Sequence, residues 1–225
     1  MTTLLIATRN AHKVGEIAAI LGDGFACRPL LKEFPAAPVA IEDADTFAGN
    51  ALKKAESLSG WLVGLPAAER GGLGAERTFV LADDSGLEVD ALGGAPGVHS
   101  ARFAAMDSGH EGNSPDADNN AKLLRLLADV PQAKRTARFR CVLALVEVNR
   151  AVPLLTPKLF DGACEGWIDF APRGSGGFGY DPLFIPLGQE KSFAELGEGV
   201  KNGLSHRAKA LAKLREWFSG DRGSD

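Results

Sequence analysis

Four stretches of the chain hold polar side chains in patterns that could do chemistry. The first is Ala7-Thr8-Arg9-Asn10-Ala11-His12-Lys13, which follows a short apolar run. Behind it Val14, Ile17, Ile20 and Leu21 recur at helical spacing. This predicts a buried strand over Thr3–Ala7 and a helix over Ala11–Leu21 with Asn10 as its N-cap. A helix N-terminus offers backbone N–H groups and the positive end of its dipole. Thr8, Asn10 and Lys13 add donors and a charge, so the turn reads either as an anion cradle or as an ordinary capped strand-to-helix turn. The second stretch is Ala82-Asp83-Asp84-Ser85-Gly86, at the end of a strand predicted over Thr78–Asp83. Carboxylates at the C-terminal end of a strand lie where α/β proteins place ligands. Neighbouring strand residues face opposite ways, so one of the two enters a given site directly. With an acidic loop of Glu42, Asp43 and Asp45, oxygen ligands for Mg²⁺ can be assembled. The alternative is a plain polar turn.

The third stretch, Gly174-Ser175-Gly176-Gly177-Phe178-Gly179, matches the letters G-x-G-x-x-G. That fingerprint binds dinucleotides only where it opens a helix. Here Tyr180-Asp181-Pro182 and the β-type Leu183-Phe184-Ile185 follow, so the segment is a loop entering a strand. Such a loop can present an aromatic ring to a flat ligand, or it can be a tight turn with core aromatics. The fourth stretch is Lys201 with Ser205-His206-Arg207 at the start of the last helix. Donors in a first helical turn oppose the dipole, a local conflict of the kind found at functional positions. An exposed polar helix start is the plainer reading. His99 and His110 read as incidental loop residues.

The elements that must position these residues follow from periodicity. A second strand is expected over Phe25–Leu31 and a helix over Thr46–Leu62. Gly64–Arg77, rich in Gly, Pro and Ala, is expected as a surface insertion. A helix over Asp116–Ala128 would place Leu123, Leu126 and Leu127 on one face. Strands are expected over Thr136–Val148 and Phe160–Phe170, and Arg173–Pro182 is a loop. A closing helix carries Leu204, Ala208, Leu211, Leu214 and Phe218, with Ser205 near its start. Strands alternate with helices and then a β-rich middle follows, so the class is α/β with a mixed sheet. The chain reads as one domain over its 225 residues.

Composition sets outer limits. Apolar residues make up 45% and charged residues 24%, which excludes a disordered chain. The 25 basic and 29 acidic residues give a net charge of −4, so no overall positive field invites nucleic acid. The 3 cysteines are odd in number and scattered, which points away from a disulfide framework or zinc knuckle and toward reduced thiols in a cytosolic protein. No signal peptide stands at the start. No apolar run reaches the roughly 18 residues of a membrane span. P-loop, HExxH and G-x-S-x-G signatures are missing.

Taken in order, these segments resemble the inosine/xanthosine triphosphate pyrophosphatase family, the Ham1/RdgB-like proteins. The resemblance is carried by Ala7–Lys13, by Thr46-Phe47 with Asn50-Ala51 and Lys54-Ala55, and by Leu81–Asp90. Gly93–Gly97, Ser100-Ala101-Arg102, Gly176–Pro182, Lys201 and Ser205–Arg207 continue it, so it spans nearly the whole chain. It implies an elongated two-lobed α/β fold with a long mixed sheet and a nucleotide in the cleft between lobes. It implies Mg²⁺-dependent hydrolysis of ITP, dITP and XTP to the monophosphate and pyrophosphate, in a cytoplasmic homodimer with neither nucleic acid nor membrane as partner.

By the same resemblance, Thr8, Arg9, Asn10, Ala11, His12 and Lys13 form the phosphate turn, and Lys54 is a second phosphate contact. Glu42 and Asp84 are the metal site, with Asp83 a supporting carboxylate, and Asp84 is the general base. Phe178 is the ring that stacks on the purine, Asp181, Lys201, Ser205, His206 and Arg207 lie around the base edge, and Ser85, Gly179 and Tyr180 are further substrate-binding residues. The chain departs from the family pattern at His12 in place of glycine, at Gly49 in place of glutamate, at Ile41 before Glu42, and at His99 in place of tyrosine. Two other readings stand beside this one. One is a related pyrophosphatase for modified or pyrimidine triphosphates, like the Maf proteins, and the other a nucleotide-binding module without catalysis.

Overall fold

The computed structural model describes residues 1–69, 73, 77–107, 109, 112–148 and 156–221. Six strands form one mixed sheet in the order β2-β1-β3-β4-β5-β6. They are β1 (Thr2–Ile6), β2 (Phe25–Pro29), β3 (Thr78–Val89), β4 (Thr136–Glu147), β5 (Lys158–Ile168) and β6 (Phe184–Pro186). The helices are α1 (Ala11–Leu21), α2 (Leu30–Glu33), α3 (Phe47–Gly64), α4 (Asp116–Leu126), α5 (Phe193–Leu204) and α6 (His206–Asp221). β1 runs parallel to both β2 and β3, with Leu4 opposite Cys27 on one side and Phe79 on the other. β5 and β6 are antiparallel. The expected mixed α/β sheet is therefore present.

By internal contacts the chain divides into two compact units. The first comprises Met1–Asp84, Val142–Asp161 and the stretch from Ala210 onward, and the second Ser85–Cys141 and Gly162–Lys209. The first is a sheet covered on both faces. Leu4, Leu5 and Ile6 of β1 and Val80, Leu81 and Ala82 of β3 are all buried without alternation, as parallel strands between helix layers must be. α3 contributes Ala51, Ala55, Leu58 and Leu62, spaced by three and four residues along one stripe. α6 contributes Leu211, Leu214 and Phe218. The Phe218 ring meets Phe25 and Phe79 edge-on, with centroids 5.1 and 5.2 Å away.

In the second unit one sheet face is buried. Ala137, Phe139 and Cys141 of β4 face the core, and Thr136, Arg138 and Arg140 alternate with them on the more open side. That core joins Leu87 and Val89 of β3 to Leu123, Leu127, Ile168, Tyr180, Leu183, Phe184 and Phe193. Arg135 is 2% exposed, yet each of its three guanidinium nitrogens donates a hydrogen bond. It reaches the carbonyls of Leu127, Val130 and Asp169 at 2.6, 2.9 and 2.9 Å. Leu127 follows the last residue of α4, so Arg135 closes that helix end as a side-chain cap.

Several expectations need correction. Asp83 and Asp84 do not end a strand, because β3 continues through Ser85 and Gly86 to Val89. Leu87 and Val89 are both buried, which draws the chain on in extended form past its polar stretch. β2 stops at Pro29, and Leu30–Glu33 is a single helical turn. Leu126 is 44% exposed, since Leu123 and Leu127 take the buried positions of α4. Leu204 ends α5, a helix the periodicity did not reveal, and the closing helix begins at His206. Of the Gly64–Arg77 segment, Gly64 closes α3 and Ala67–Glu69 is a short 3-10 turn. Residues 70–72 and 74–76 lie outside the described residues, as does His110.

Replacing Arg135 with alanine removes the closure of α4 and leaves three carbonyls to find other donors. Arg135→Ala is expected to lower stability by about 3 kcal/mol or more, measured by the shift of the urea unfolding midpoint.

Candidate functional site

Within the first unit the polar cluster is built on α3 and β3. The stripe of α3 that faces the core carries three buried polar residues, Asn50, Lys54 and Ser59, of which the first two build the site. Thr46 caps the helix by accepting the Gly49 N–H at 3.1 Å. Asn50 Oδ1 accepts the Ala44 N–H at 2.9 Å, which docks the acidic loop onto the helix. Gly49 allows that approach, because a β-carbon there would stand 2.7 Å from the Ala44 side chain. A second pair, Lys53 and Asp43, ties the same loop from the exposed side.

The docked loop brings Glu42 to Lys54. The Lys54 ammonium has three protons and meets three acceptors. These are Glu42 Oε2 at 3.0 Å, the Asp83 carbonyl at 2.9 Å and Asp84 Oδ1 at 3.0 Å. Burial would pull the Lys54 pKa down, but the two carboxylates outweigh it and hold it above the ordinary lysine value. Asp84 is pushed above the usual carboxylate range. Burial is the larger influence and exceeds the attraction of Lys54 and Lys13. The second oxygen of Asp84, Oδ2, is buried and has no hydrogen-bond partner among the described groups.

Asp83 turns to the opposite face of β3, as strand alternation requires. Its carboxylate, fully enclosed, accepts Lys13 Nζ at 2.6 Å. The structure thus brings Glu42 and Asp84 to one lysine and pairs Asp83 with Lys13. Among the described residues, no three or more His, Cys, Asp or Glu side chains converge as a metal cluster. In this arrangement all three Lys54 protons are held by protein acceptors. In the turn before α1, Asn10 Oδ1 accepts from the N–H of His12 at 2.9 Å and of Lys13 at 3.4 Å. Thr8 Oγ1 accepts from Asn10 N–H at 3.1 Å. Asn10 is therefore the N-cap expected, and Arg9, Ala11 and His12 are exposed around it.

The second unit holds the other cluster. The Gly174–Gly179 segment is a loop that opens no helix, as expected. Lys201, on the last turn of α5, gives an ammonium proton to Asp181 Oδ2 at 2.6 Å, with both side chains almost fully enclosed. The same oxygen accepts the Phe178 N–H at 2.9 Å. Lys201 Nζ also stands 4.4 Å from the centroid of the half-buried Phe178 ring. Arg207 is 1% exposed and donates to Ser85 Oγ at 3.0 Å. His206 stacks on Phe139, with centroids 4.9 Å apart. Ser205 Oγ accepts the Ala208 N–H at 3.2 Å, so it serves as the cap of α6. Tyr180 is buried. Its ring packs in the core and its hydroxyl donates to the Ser100 carbonyl at 2.8 Å.

Sequence reasoning missed Asn50, although a signal was present. It is a polar residue on the apolar stripe of α3, as Lys54 is, and buried polar positions must be paired.

Comparison with known proteins extends these observations. A model of the Ham1 family matches residues 4–217. A dITP/XTP pyrophosphatase of Geobacillus kaustophilus is 48% identical over 217 residues, covering 96% of this chain and 94% of the relative. One from Geobacter sulfurreducens is also 48% identical over 217 residues, with 96% of each chain covered. Among solved structures, a HAM1 protein from Coxiella burnetii superposes with a TM-score of 0.76 at 34% identity, over 98% of this chain and 100% of that one.

The buried pair in the second unit makes a direct prediction. Lys201→Met removes the ammonium facing a buried carboxylate and is expected to cost about 3–5 kcal/mol of stability. The double variant Lys201→Met/Asp181→Asn should lose less than the single one. Urea unfolding of the three proteins decides this.

Proposed function

The chain belongs to the Ham1 family, and on that premise we propose that it hydrolyses non-canonical purine nucleoside triphosphates (dITP, ITP and XTP) to the monophosphate and pyrophosphate. The observation that carries the reading is Asp84. It is a buried carboxylate with one oxygen fixed by Lys54 and the other without a hydrogen-bond partner.

A carboxylate so placed, with a raised pKa, suits a general base. Hydrolysis adds water across the α–β anhydride. The water oxygen ends on one phosphorus, the anhydride oxygen leaves with the other, and Asp84 takes the proton. Glu42, held by the same lysine but 43% exposed at its side chain, supplies a second oxygen donor. Two hard carboxylates fit Mg²⁺, which binds through one or two carboxylates plus substrate phosphates and keeps several waters. When bound there, Mg²⁺ neutralises charge developing on phosphate oxygens and acidifies water.

Thr8, Asn10 and Lys13 are assigned to the phosphates. The helix terminus and the Lys13 charge favour an anion. Phe178 is assigned to the purine face. Arg207 with Lys201, Asp181, Ser205 and His206 is assigned to the base edge. The selectivity is a matter of hydrogen-bond polarity. Hypoxanthine and xanthine present a 6-oxo acceptor, whereas adenine presents an amino donor. An arginine carries donors only. Donor facing donor in a buried site costs about 1–3 kcal/mol, and a site built to hydrogen-bond its substrate rejects the mismatched analogue by ~10²-fold or more. The family resemblance further supports a cytoplasmic homodimer. No helix among the described residues is long and apolar enough to cross a membrane.

The test is pyrophosphate release from dITP, ITP, XTP, GTP, ATP and dTTP, with Mg²⁺ and with EDTA. Metal-dependent release from the first three, with little from ATP and GTP, is the expected result. A preference for dTTP would support the pyrimidine-directed alternative, and binding without release would support a non-catalytic module. Asp84→Asn is expected to lower turnover by about 10²–10⁴-fold, the usual contribution of a positioned base, while nucleotide binding persists. Arg207→Ala is expected to narrow the ITP-to-ATP ratio of kcat/KM by about tenfold, the equivalent of one buried hydrogen-bond mismatch. An unchanged ratio in a folded variant removes Arg207 from the selectivity.

A further inference from the structure

Phe178 lies on a turn that a neighbouring helix grips by the next residue. Gly179 N–H donates to Asp116 Oδ2 at 2.6 Å. The Gly179 carbonyl accepts from Asn120 Nδ2 at 2.9 Å. Asp116 and Asn120 are one turn apart on α4, so one helix face holds both polar groups of a single residue. Gly179 has φ 64°, a left-handed conformation that glycine adopts without strain. The grip falls where the backbone reverses, directly after the aromatic ring. From the other side Asp181 holds the Phe178 N–H, and Asp181 is itself held by Lys201.

Asn120 does this at a cost. It is 8% exposed, and its Oδ1 is buried with no hydrogen-bond partner among the described groups. An apolar side chain at this position of α4, beside Leu123, would avoid an orphaned acceptor. Native proteins leave few such atoms, and those they keep need a reason. Gripping a loop glycine adds little to the core. A local conflict accepted in order to hold one turn is characteristic of a functional position.

We propose that Asp116 and Asn120 are positioning residues for base recognition, fixing the Phe178–Gly179 turn so that the ring presents a preset face to the purine. The proposal rests on the pyrophosphatase reading and on Phe178 as its stacking ring. A ring that is already ordered binds a base without paying to order the loop. Neither residue touches the reacting phosphates in this scheme, so their effect falls on KM rather than on kcat.

The experiment is steady-state kinetics with dITP and Mg²⁺ on the wild type and on Asp116→Ala, Asp116→Asn, Asn120→Leu and Asp118→Ala. Asp116→Ala and Asn120→Leu are expected to raise KM by about 5- to 100-fold, the range that base–aromatic stacking supplies, with kcat unchanged. Asp116→Asn keeps an acceptor for the Gly179 N–H and should restore the wild-type KM. Asp118→Ala removes an acid from the same helical turn without touching Gly179 and should leave KM alone. The thermal midpoint of Asn120→Leu should hold. An unchanged KM in Asp116→Ala and Asn120→Leu overturns the proposal. So does a fall in kcat that tracks a lowered thermal midpoint, because that is the signature of a structural role. Absence of dITP turnover by the wild type overturns the pyrophosphatase reading itself, and the role in base recognition with it.

Discussion

The ammonium of Lys54 is the contact on which the chemistry of the first unit depends. Two carboxylates, Glu42 and the buried Asp84, would repel one another if left to themselves. One buried cation answers both, and its third proton goes to the Asp83 carbonyl. Lys54 can sit there because it lies on the buried stripe of α3, one turn after Asn50, which fastens the loop that carries Glu42. The loop, the helix and the strand are thus joined at one nitrogen. The joining is incomplete in one respect, since the outer oxygen of Asp84 is left without a protein donor. A buried carboxylate with an unused oxygen is a poor contributor to stability, and it is what a base or metal ligand requires.

The second unit follows the same logic with different parts. Lys201, Asp181, Arg207 and His206 are all buried, with His206 stacked on Phe139 and the Lys201 ammonium 5.8 Å from the Phe193 ring centroid. Buried ion pairs seldom stabilise a fold more than apolar packing of the same volume. Their presence beside an aromatic ring on a glycine turn suits the base-edge role proposed for them. Charged groups in a low-dielectric setting discriminate sharply between donors and acceptors on a ligand, because a mismatch there has no water to relieve it.

Much of this was legible in the sequence. The strand-helix start was read almost to the residue, because apolar spacing and the Asn10 cap agree with the global fold. The loop character of Gly174–Gly179 followed from Pro182 and the β-type residues after it. Other features were not legible, for identifiable reasons. Asp83 and Asp84 looked like a strand end because acidic pairs and Ser-Gly favour turns, yet burial of Leu87 and Val89 overrides that preference. α5 was missed because it holds Gly197, Gly199 and Gly203 and bends at Gly197, where φ is 78°. The resemblance assigned Lys54 to phosphate, and the acceptors that meet it come from two places in the chain, Glu42 in the loop and Asp83-Asp84 on β3. Convergence of that kind is a tertiary fact with no periodic trace.

The division of labour between Lys54 and the phosphate turn is therefore the point most worth measuring. Turnover of dITP by Lys54→Met, checked for folding by circular dichroism, separates the two roles. If Lys54 holds the carboxylates, kcat falls by about 10²-fold or more, as expected when a base loses its placement, while KM stays near the wild-type value. If KM rises steeply and kcat survives, the ammonium serves the substrate's phosphates and the carboxylates stand without it.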